Sequence, residues 1–400
     1  MRLLRHPLFL AVALGHFTVD VLNGQTGVLL AVLSTPLGLS NQNLGLIATI
    51  YAIFGALSQP LFGWFSDRTG GRWTMAGGVL AMAVCFSLVA LAPGWWAIVF
   101  LVIGALGSAA FHPTGANKAT QVGYVHMAGQ AATAASLFFL FGQGGLSLGP
   151  ALGGFILDHF ERSGLLLITL PSILISFLVA YQPRNMTPRP ATPASHSPAG
   201  ATLSRSSFIQ LGVIMLVAGL HTWGQNATTT FAPKLFHDLG MSPTIYGVII
   251  ALFMGGSAVG GVLGGILADR WGRHQTITLA LGLSVFSFYV LPVVSGAWLY
   301  LASFVAGFLN GAPHSTVVAM AQRVLPGRGG LASGVILGFM FTSGALGTAL
   351  SGAVADRIGL TQALQGNALI MLIAMAISLA LWLEVKPAAR QNVTQETASD

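Results

Sequence analysis

Long apolar runs follow one another along nearly the whole chain, parted by single charges, prolines and glycines. A helix of about 20 apolar residues crosses the hydrocarbon of a bilayer, so each run is long enough to be a span. Only 7% of the 400 residues are charged and 54% are hydrophobic. A soluble domain has about a quarter of its residues charged. This chain cannot cover a water-facing surface, and it reads as a polytopic membrane protein without a large soluble domain. Its 51 glycines fit that reading, because small residues let membrane helices approach closely.

About twelve spans are expected, near 8–33, 44–66, 73–92, 95–118, 127–157, 163–181, 208–232, 244–268, 274–294, 296–320, 331–354 and 362–385. Pro113 and Pro150 interrupt the fourth and fifth, which a membrane helix tolerates when neighbours satisfy the freed carbonyl. Residues 182–207 are rich in Pro, Ser, Thr and Ala and read as a flexible linker. The chain then divides into a six-helix half over 1–181, the linker, a second half over 208–386 and a polar tail over 387–400. With the N-terminus inside, Arg162, Lys234 and Arg357 alone among the lysines and arginines fall outside. Positive charge gathers in cytoplasmic loops, so both termini and the linker are expected in the cytoplasm.

The net charge of +7 forms no basic patch, which argues against nucleic acid as a partner. Cys85, the single cysteine, cannot make an intrachain disulfide. The first apolar run is too long for a signal-peptide core and is expected to be retained.

The halves repeat each other. Gly63-Trp64-Phe65-Ser66-Asp67-Arg68-Thr69-Gly70 follows the second span, and Gly265-Ile266-Leu267-Ala268-Asp269-Arg270-Trp271-Gly272 follows the eighth, 202 residues on. The same offset carries His112 to His314, and an offset of 198 carries Gly154 and Asp158 to Gly352 and Asp356. Parallel six-helix repeats joined by a linker mark one transporter architecture. The paired Gly-x-x-x-Asp-Arg-x-Gly loops resemble the signature loop of the major facilitator superfamily, over essentially the whole chain. That resemblance implies an all-α protein of twelve transmembrane helices in two pseudo-symmetric halves, working by alternating access. It also implies gating by Gly63, Asp67, Arg68, Arg72, Asp269 and Arg270. Asp67 could meet the N-terminus of a neighbouring helix, where its charge is favoured, and Arg68 and Arg72 could ion-pair across the cytoplasmic surface.

Gly107-Ser108-Ala109-Ala110-Phe111-His112-Pro113-Thr114-Gly115, with His16-Phe17, Asp20 and Gln59-Pro60, is similar to the fosmidomycin-resistance branch of that superfamily. The branch implies export of drugs or metabolites in exchange for protons. Gly145-Leu146-Ser147-Leu148-Gly149-Pro150-Ala151-Leu152-Gly153-Gly154 looks like the antiporter motif of drug–proton exchangers.

Of ten acidic residues, Asp20 alone lies well inside a span. An ionisable residue there is expensive and is a functional candidate by default. His16, Asp20, Asn23, Gly24 and Gly27 share one helical stripe, and His16 and Asp20 at i, i+4 can pair. Asp20 and His16 are therefore the proton-coupling candidates. Asn23, His112, Gln143, His221, Gln225, Asn310 and His314 are the substrate-binding candidates, on helices that line the central cavity in this architecture. No lysine or arginine lies at mid-depth, so an anionic substrate would need protonated histidines.

The leading expectation is a proton-coupled exporter of small organic compounds in the bacterial inner membrane. Its partners would be a small-molecule substrate, protons and the lipid bilayer, with no cofactor and a monomeric state. A proton symporter taking up a sugar or organic acid is the alternative. A membrane metalloenzyme built on His16, Asp20, His112, His221 and His314 is the remote one, since imidazole binds zinc but no His-Glu-x-x-His stretch exists.

Overall fold

The computed structural model describes residues 3–126, 131–181, 205–324 and 329–396. Among the described residues there is no strand, and the long helices are twelve. In the N-terminal half they are α1 Pro7–Ser34, α2 Asn41–Thr69, α3 Arg72–Leu91, α4 Trp96–His126, α5 Ala131–His159 and α6 Leu166–Ala180. In the C-terminal half they are α7 Arg205–Asp238, α8 Pro243–Trp271, α9 Arg273–Val290, α10 Trp298–Val324, α11 Gly329–Ile358 and α12 Leu360–Glu396. Ten are long and apolar enough to cross a membrane. The other two, α9 and α10, are more polar: α9 opens on Arg273-His274-Gln275, and α10 carries Asn310 and His314.

The helix count expected from the apolar runs holds, but the bounds differ in several places. The runs 8–33 and 44–66 are each two helical segments, parted at Gln25 and at Ser58. At Ser58 the cause is Pro60, which lacks the N–H that the helix would need and so begins a new segment. Arg205, Ser206 and Ser207 belong to α7 rather than to the linker, whose remaining residues, 182–204, lie outside the described ones. The stretch expected as a polar tail continues α12 as far as Glu396.

Within the N-terminal half, α1 packs on α5, and α3 on α4 and α6; in the C-terminal half, α7 packs on α11, α8 on α10, and α9 on α12. The halves meet through α5 with α8, α2 with α11, and the end of α1 with α7. Exchanging the halves turns the first of these pairs into the second, so the pseudo-symmetry is visible in the packing. Large apolar side chains such as Leu170, Leu174 and Phe177 of α6 stay exposed, as a surface bathed in lipid allows.

Hydrogen bonds between the halves gather at the end away from the linker. Asp356 accepts from the backbone N–H groups of Asn41 and Gln42, each at 2.9 Å, and Thr244 donates to Asp158 at 2.6 Å. These carboxylates are the repeat-related pair, and each holds the N-terminal turn of a helix in the other half, where negative charge is favoured. Thr49 donates to the Ala345 carbonyl at 2.6 Å, and Thr35 meets His237 at 3.1 Å. At the linker end Trp64, Phe65, Asp67, Arg68, Arg270 and Trp271 are exposed. Among the described residues the halves are bonded to each other at one end and stand exposed at the other.

Candidate functional site

Asp20 lies in the first segment of α1, 4% exposed, and two histidines bracket its carboxylate. His16 Nε2 stands 3.2 Å from Asp20 Oδ2, one helical turn back on α1. His112 Nε2 reaches across from α4 to 3.3 Å from Oδ1. Asn23 donates to the same Oδ1 at 2.9 Å and to Ser108 Oγ at 3.0 Å. The Tyr51 hydroxyl, from α2, donates to Asn23 Oδ1 at 2.6 Å. Three helices thus deliver one hydrogen-bonded cluster around a single buried carboxylate.

The far nitrogen of each histidine is held by a backbone carbonyl. His16 Nδ1 donates to Phe138 O at 2.7 Å, while the imidazole stacks on the Phe138 ring at 3.9 Å between centroids. His112 Nδ1 donates to Ser108 O at 2.8 Å. Close packing of α5 on α1 makes this possible. At Gly142 any Cβ would come within 2.7 Å of Asp20 Oδ2, so only glycine lets the pair close. Gly145 and Gly149 meet the carbonyls of Phe17 and Val21 in the same way. The glycine-spaced face of α5 is therefore the seat of α1.

The C-terminal half assembles a second, uncharged cluster. His221 Nε2, fully buried on α7, donates to the Asn310 carbonyl of α10. Asn310 Nδ2 donates to Gln225 Oε1 at 3.2 Å. His221 Nδ1 and Asn310 Oδ1 are buried without a partner. His314 is exposed, its ring 6.1 Å from that of His221. Gln143 is exposed on α5 beside Gly142. The substrate-binding candidates thus divide: Asn23 and His112 join the acidic cluster, His221, Gln225, Asn310 and His314 form the neutral one, and Gln143 is in neither.

The gating candidates lie apart from both clusters, at the linker end. Gly70, at φ +81°, turns the chain out of α2, and Gly272, at φ +107°, does so after α8, which accounts for the closing glycine of each signature loop. A Cβ at Gly63 would meet Pro113 at 3.9 Å, an ordinary contact, so this position does not require glycine for space. Asp67 is exposed. Among the described residues Arg68 makes no ion pair across the surface; its guanidinium stacks 3.8 Å over the Trp64 ring. Arg72 lies against Trp73 with its Nε buried and unpartnered. Asp269 stands 4.0 Å from Arg273, and Arg270 is exposed. Among the described residues, none of the expected cross-surface contacts is made at this end.

Sequence reasoning overlooked Tyr51, Ser108 and Gly142. Ser108 stood in the quoted Gly107–Gly115 stretch, one turn before His112. Tyr51 was legible only as a phenol in an apolar run. Metal ligation by His16, Asp20, His112, His221 and His314 together is not what the structure assembles. His16, Asp20 and His112 place donor atoms within 4.8 Å of one another, whereas His221 and His314 belong to the other half.

The chain matches the Major Facilitator Superfamily twice, over residues 8–220 and 214–399, once for each half. It is 26% identical over 359 residues to the fosmidomycin resistance protein of Escherichia coli K12, covering 87% of this chain and 86% of that one. It is 28% identical over 280 residues to the multidrug resistance protein MdtG of Salmonella typhimurium, covering 67% of each. Its fold is similar to that of a bacterial homolog of the human lysosomal transporter Spinster, solved in an inward-facing and occupied conformation. The TM-score is 0.78 at 16% identity, over 94% of this chain and 96% of that one. With matches across both halves and a fold shared over nearly its full length, the chain belongs to the Major Facilitator Superfamily and is a multi-pass membrane transporter of small molecules.

Proposed function

We propose that this protein is a proton-coupled exporter of small organic compounds, an antiporter of the bacterial inner membrane. The observation that carries this reading is Asp20, a buried carboxylate at membrane depth, bracketed by His16 and His112. Such a group is costly unless it binds an ion, and protons are the ions its neighbours handle. The names of the similar proteins, which speak of fosmidomycin and multidrug resistance, support export and compounds of that size.

With both termini and the linker in the cytoplasm, the parted end of the molecule faces inward. Compounds would then enter between the halves from the cytoplasm, where His314, Gln143 and the partly exposed His112 meet them. Protons arriving at Asp20 from outside would favour return to this state, and their loss inside would accompany substrate binding. Closing the linker end would bring Asp67 and Arg68 against the opposite half.

The test uses purified protein in proteoliposomes. An imposed pH difference should drive accumulation of the drug identified by comparing the susceptibility of cells with and without the gene, fosmidomycin first. Asp20→Asn should lose this accumulation while still binding the compound. Proton and drug moving in the same direction would assign symport instead.

A further inference from the structure

Phe138 O stands 2.7 Å from His16 Nδ1 and Ser108 O stands 2.8 Å from His112 Nδ1. A carbonyl can only accept, so both Nδ1 atoms carry hydrogen. Ser108 Oγ, 3.2 Å from the same His112 Nδ1, can share that hydrogen but not replace it, because a bare Nδ1 would set its lone pair against the carbonyl. A neutral imidazole with hydrogen on Nδ1 offers a lone pair at Nε2. Both Nε2 atoms face the Asp20 carboxylate, at 3.2 and 3.3 Å. Three electron-pair donors thus converge on one spot, which only a cation between them can hold together.

A backbone carbonyl behind each imidazole and a hydrogen bond on the carboxylate are the outer contacts that hold metal ligands in place. Asn23 supplies the second of these, donating to Oδ1 at 2.9 Å. The spacing suits a metal as well. Two ligands about 2.0–2.1 Å from a tetrahedral zinc ion stand about 3.3 Å apart, and His16, Asp20 and His112 each offer a donor atom within 4.8 Å of the others. Among the described residues no other group of three such side chains comes together. The remaining closure falls to His112, whose side chain is 25% exposed, while His16 is pinned on the Phe138 ring. That exposure also gives an ion its way in and leaves a fourth position for water.

We propose that His16, Asp20 and His112 form a binding site for a divalent transition-metal ion such as zinc, which takes the place of protons there. Two imidazoles and one carboxylate favour zinc and its neighbours over magnesium or calcium, which prefer oxygen throughout. The site stands on its own geometry and goes beyond the coupling reading. Where that reading holds, zinc inhibits pH-driven transport by filling the seat of the proton. All three ligands belong to α1 and α4 of one half, so the ion acts on the proton site and not by tying the two halves together.

The experiment uses the full chain without a histidine tag, in detergent micelles at about pH 8, where free imidazole is neutral. The probes are Co²⁺ and Zn²⁺ alone. The expected result is one tightly held ion per chain, with the strong visible absorption of four-coordinate cobalt and a zinc X-ray absorption spectrum that shows two imidazoles. His16→Gln, His112→Gln and Asp20→Asn should each weaken binding by at least about 100-fold, more than the loss of an outer contact does. The X-ray absorption of the unaltered protein keeps the test independent of how well these variants fold. No ion retained, a zinc shell without two imidazoles, or unchanged affinity in the folded variants would overturn the proposal. In proteoliposomes Zn²⁺ should lower pH-driven transport and a chelator should restore it. Transport untouched by zinc in protein that binds it would overturn the claim that the ion takes the proton's place. Metal held by a protein that shows no pH-driven transport would leave the site standing and remove the coupling reading instead.

Discussion

The polar bridge between α1 and α4 and the one between α7 and α10 are built on the same frame. An offset of 202 residues carries Asn23 to Gln225 and Ser108 to Asn310, and the bond between the first pair recurs between the second. The same offset carries Asp20 to Thr222 and His16 to Ala218. The C-terminal half carries the polar bridge without the charge: Thr222 turns its hydroxyl back to the Ala218 carbonyl, at 2.8 Å. Two copies of one scaffold thus present different chemistry, a proton-binding cluster in one and neutral hydrogen-bonding groups in the other. That division suits a carrier whose two cargoes must be bound by turns.

The packing differs as well. In the C-terminal half α8 and α10 close on each other until Gly260 lies against the Phe308 carbonyl and Gly311 against that of Ser257. The equivalents of Gly256, Gly260 and Gly264 in α2 are Phe54, Ser58 and Phe62, and larger side chains hold α2 off α4. There α4 closes on α3 instead, through Gly78 and Gly107. The N-terminal half is the one with interrupted helices, at Gln25 and Ser58, and the one with the carboxylate.

The largest effect should come from breaking the tight pair. Gly260→Leu would force a side chain into backbone, and a cost of at least about 3 kcal/mol is expected. On the looser pair of α2 and α4, Gly55→Leu, where a Cβ meets its nearest neighbour, the Ala105 carbonyl, only at 4.0 Å, should cost less than about 1 kcal/mol. Folded yield and thermal unfolding in detergent check both. Equal losses would mean that the two helix pairs are packed alike.

Next comes the difference in chemistry. Asp20→Asn should lower pH-driven transport by about 100-fold, within the range of a missing proton-transfer group. His221→Gln should weaken compound binding by at most about tenfold, the worth of one hydrogen bond. Transport and binding measured on the same proteoliposomes separate them. If His221→Gln abolished coupling, the halves would not divide the work.

Much of this was legible in the sequence, for physical reasons that differ by level. Membrane spans announce themselves because lipid demands about 20 apolar residues in a row, and Asp20 stood out because a charge there needs a reason. Its pairing with His16 followed from helical spacing alone. The approach of His112 did not, because it depends on how α4 crosses α1, which no spacing along either helix contains. Nor could the loops around Asp67 and Asp269 show that the molecule would be parted at their end. A sequence describes both states of a carrier at once, whereas a structure holds one.

A smaller effect is expected at the sealed end. Asp356 and Asp158 each hold a helix N-terminus of the other half, a contact of about 1 kcal/mol for an exposed carboxylate. Asp356→Asn should therefore shift the balance of states about fivefold away from the one seen here. Thiol labelling of a cysteine placed at Phe65, exposed at the linker end, should slow accordingly. Asp158→Asn should do the same through Thr244. Unchanged labelling would show that the seal rests on apolar packing instead.

The smallest effect in this conformation, and the most telling, belongs to Asp67. It is exposed where the halves are parted, so Asp67→Asn should leave thermal stability unchanged to within about 0.5 kcal/mol. Its place at the end of α2 matters only once the linker end closes and a helix N-terminus of the other half reaches it. The variant should then hold the molecule in the conformation described here for longer, raising labelling at position 65 about two- to fivefold, for a contact of about 0.5 to 1 kcal/mol. Asp67→Asn and Asp356→Asn would thus move one equilibrium in opposite directions. Asp269→Asn, which gives up only a 4.0 Å contact with Arg273 on its own side, should move it least, so that the asymmetry between the halves extends to their gates. Equal shifts from Asp67→Asn and Asp269→Asn would confine that asymmetry to the clusters at mid-depth.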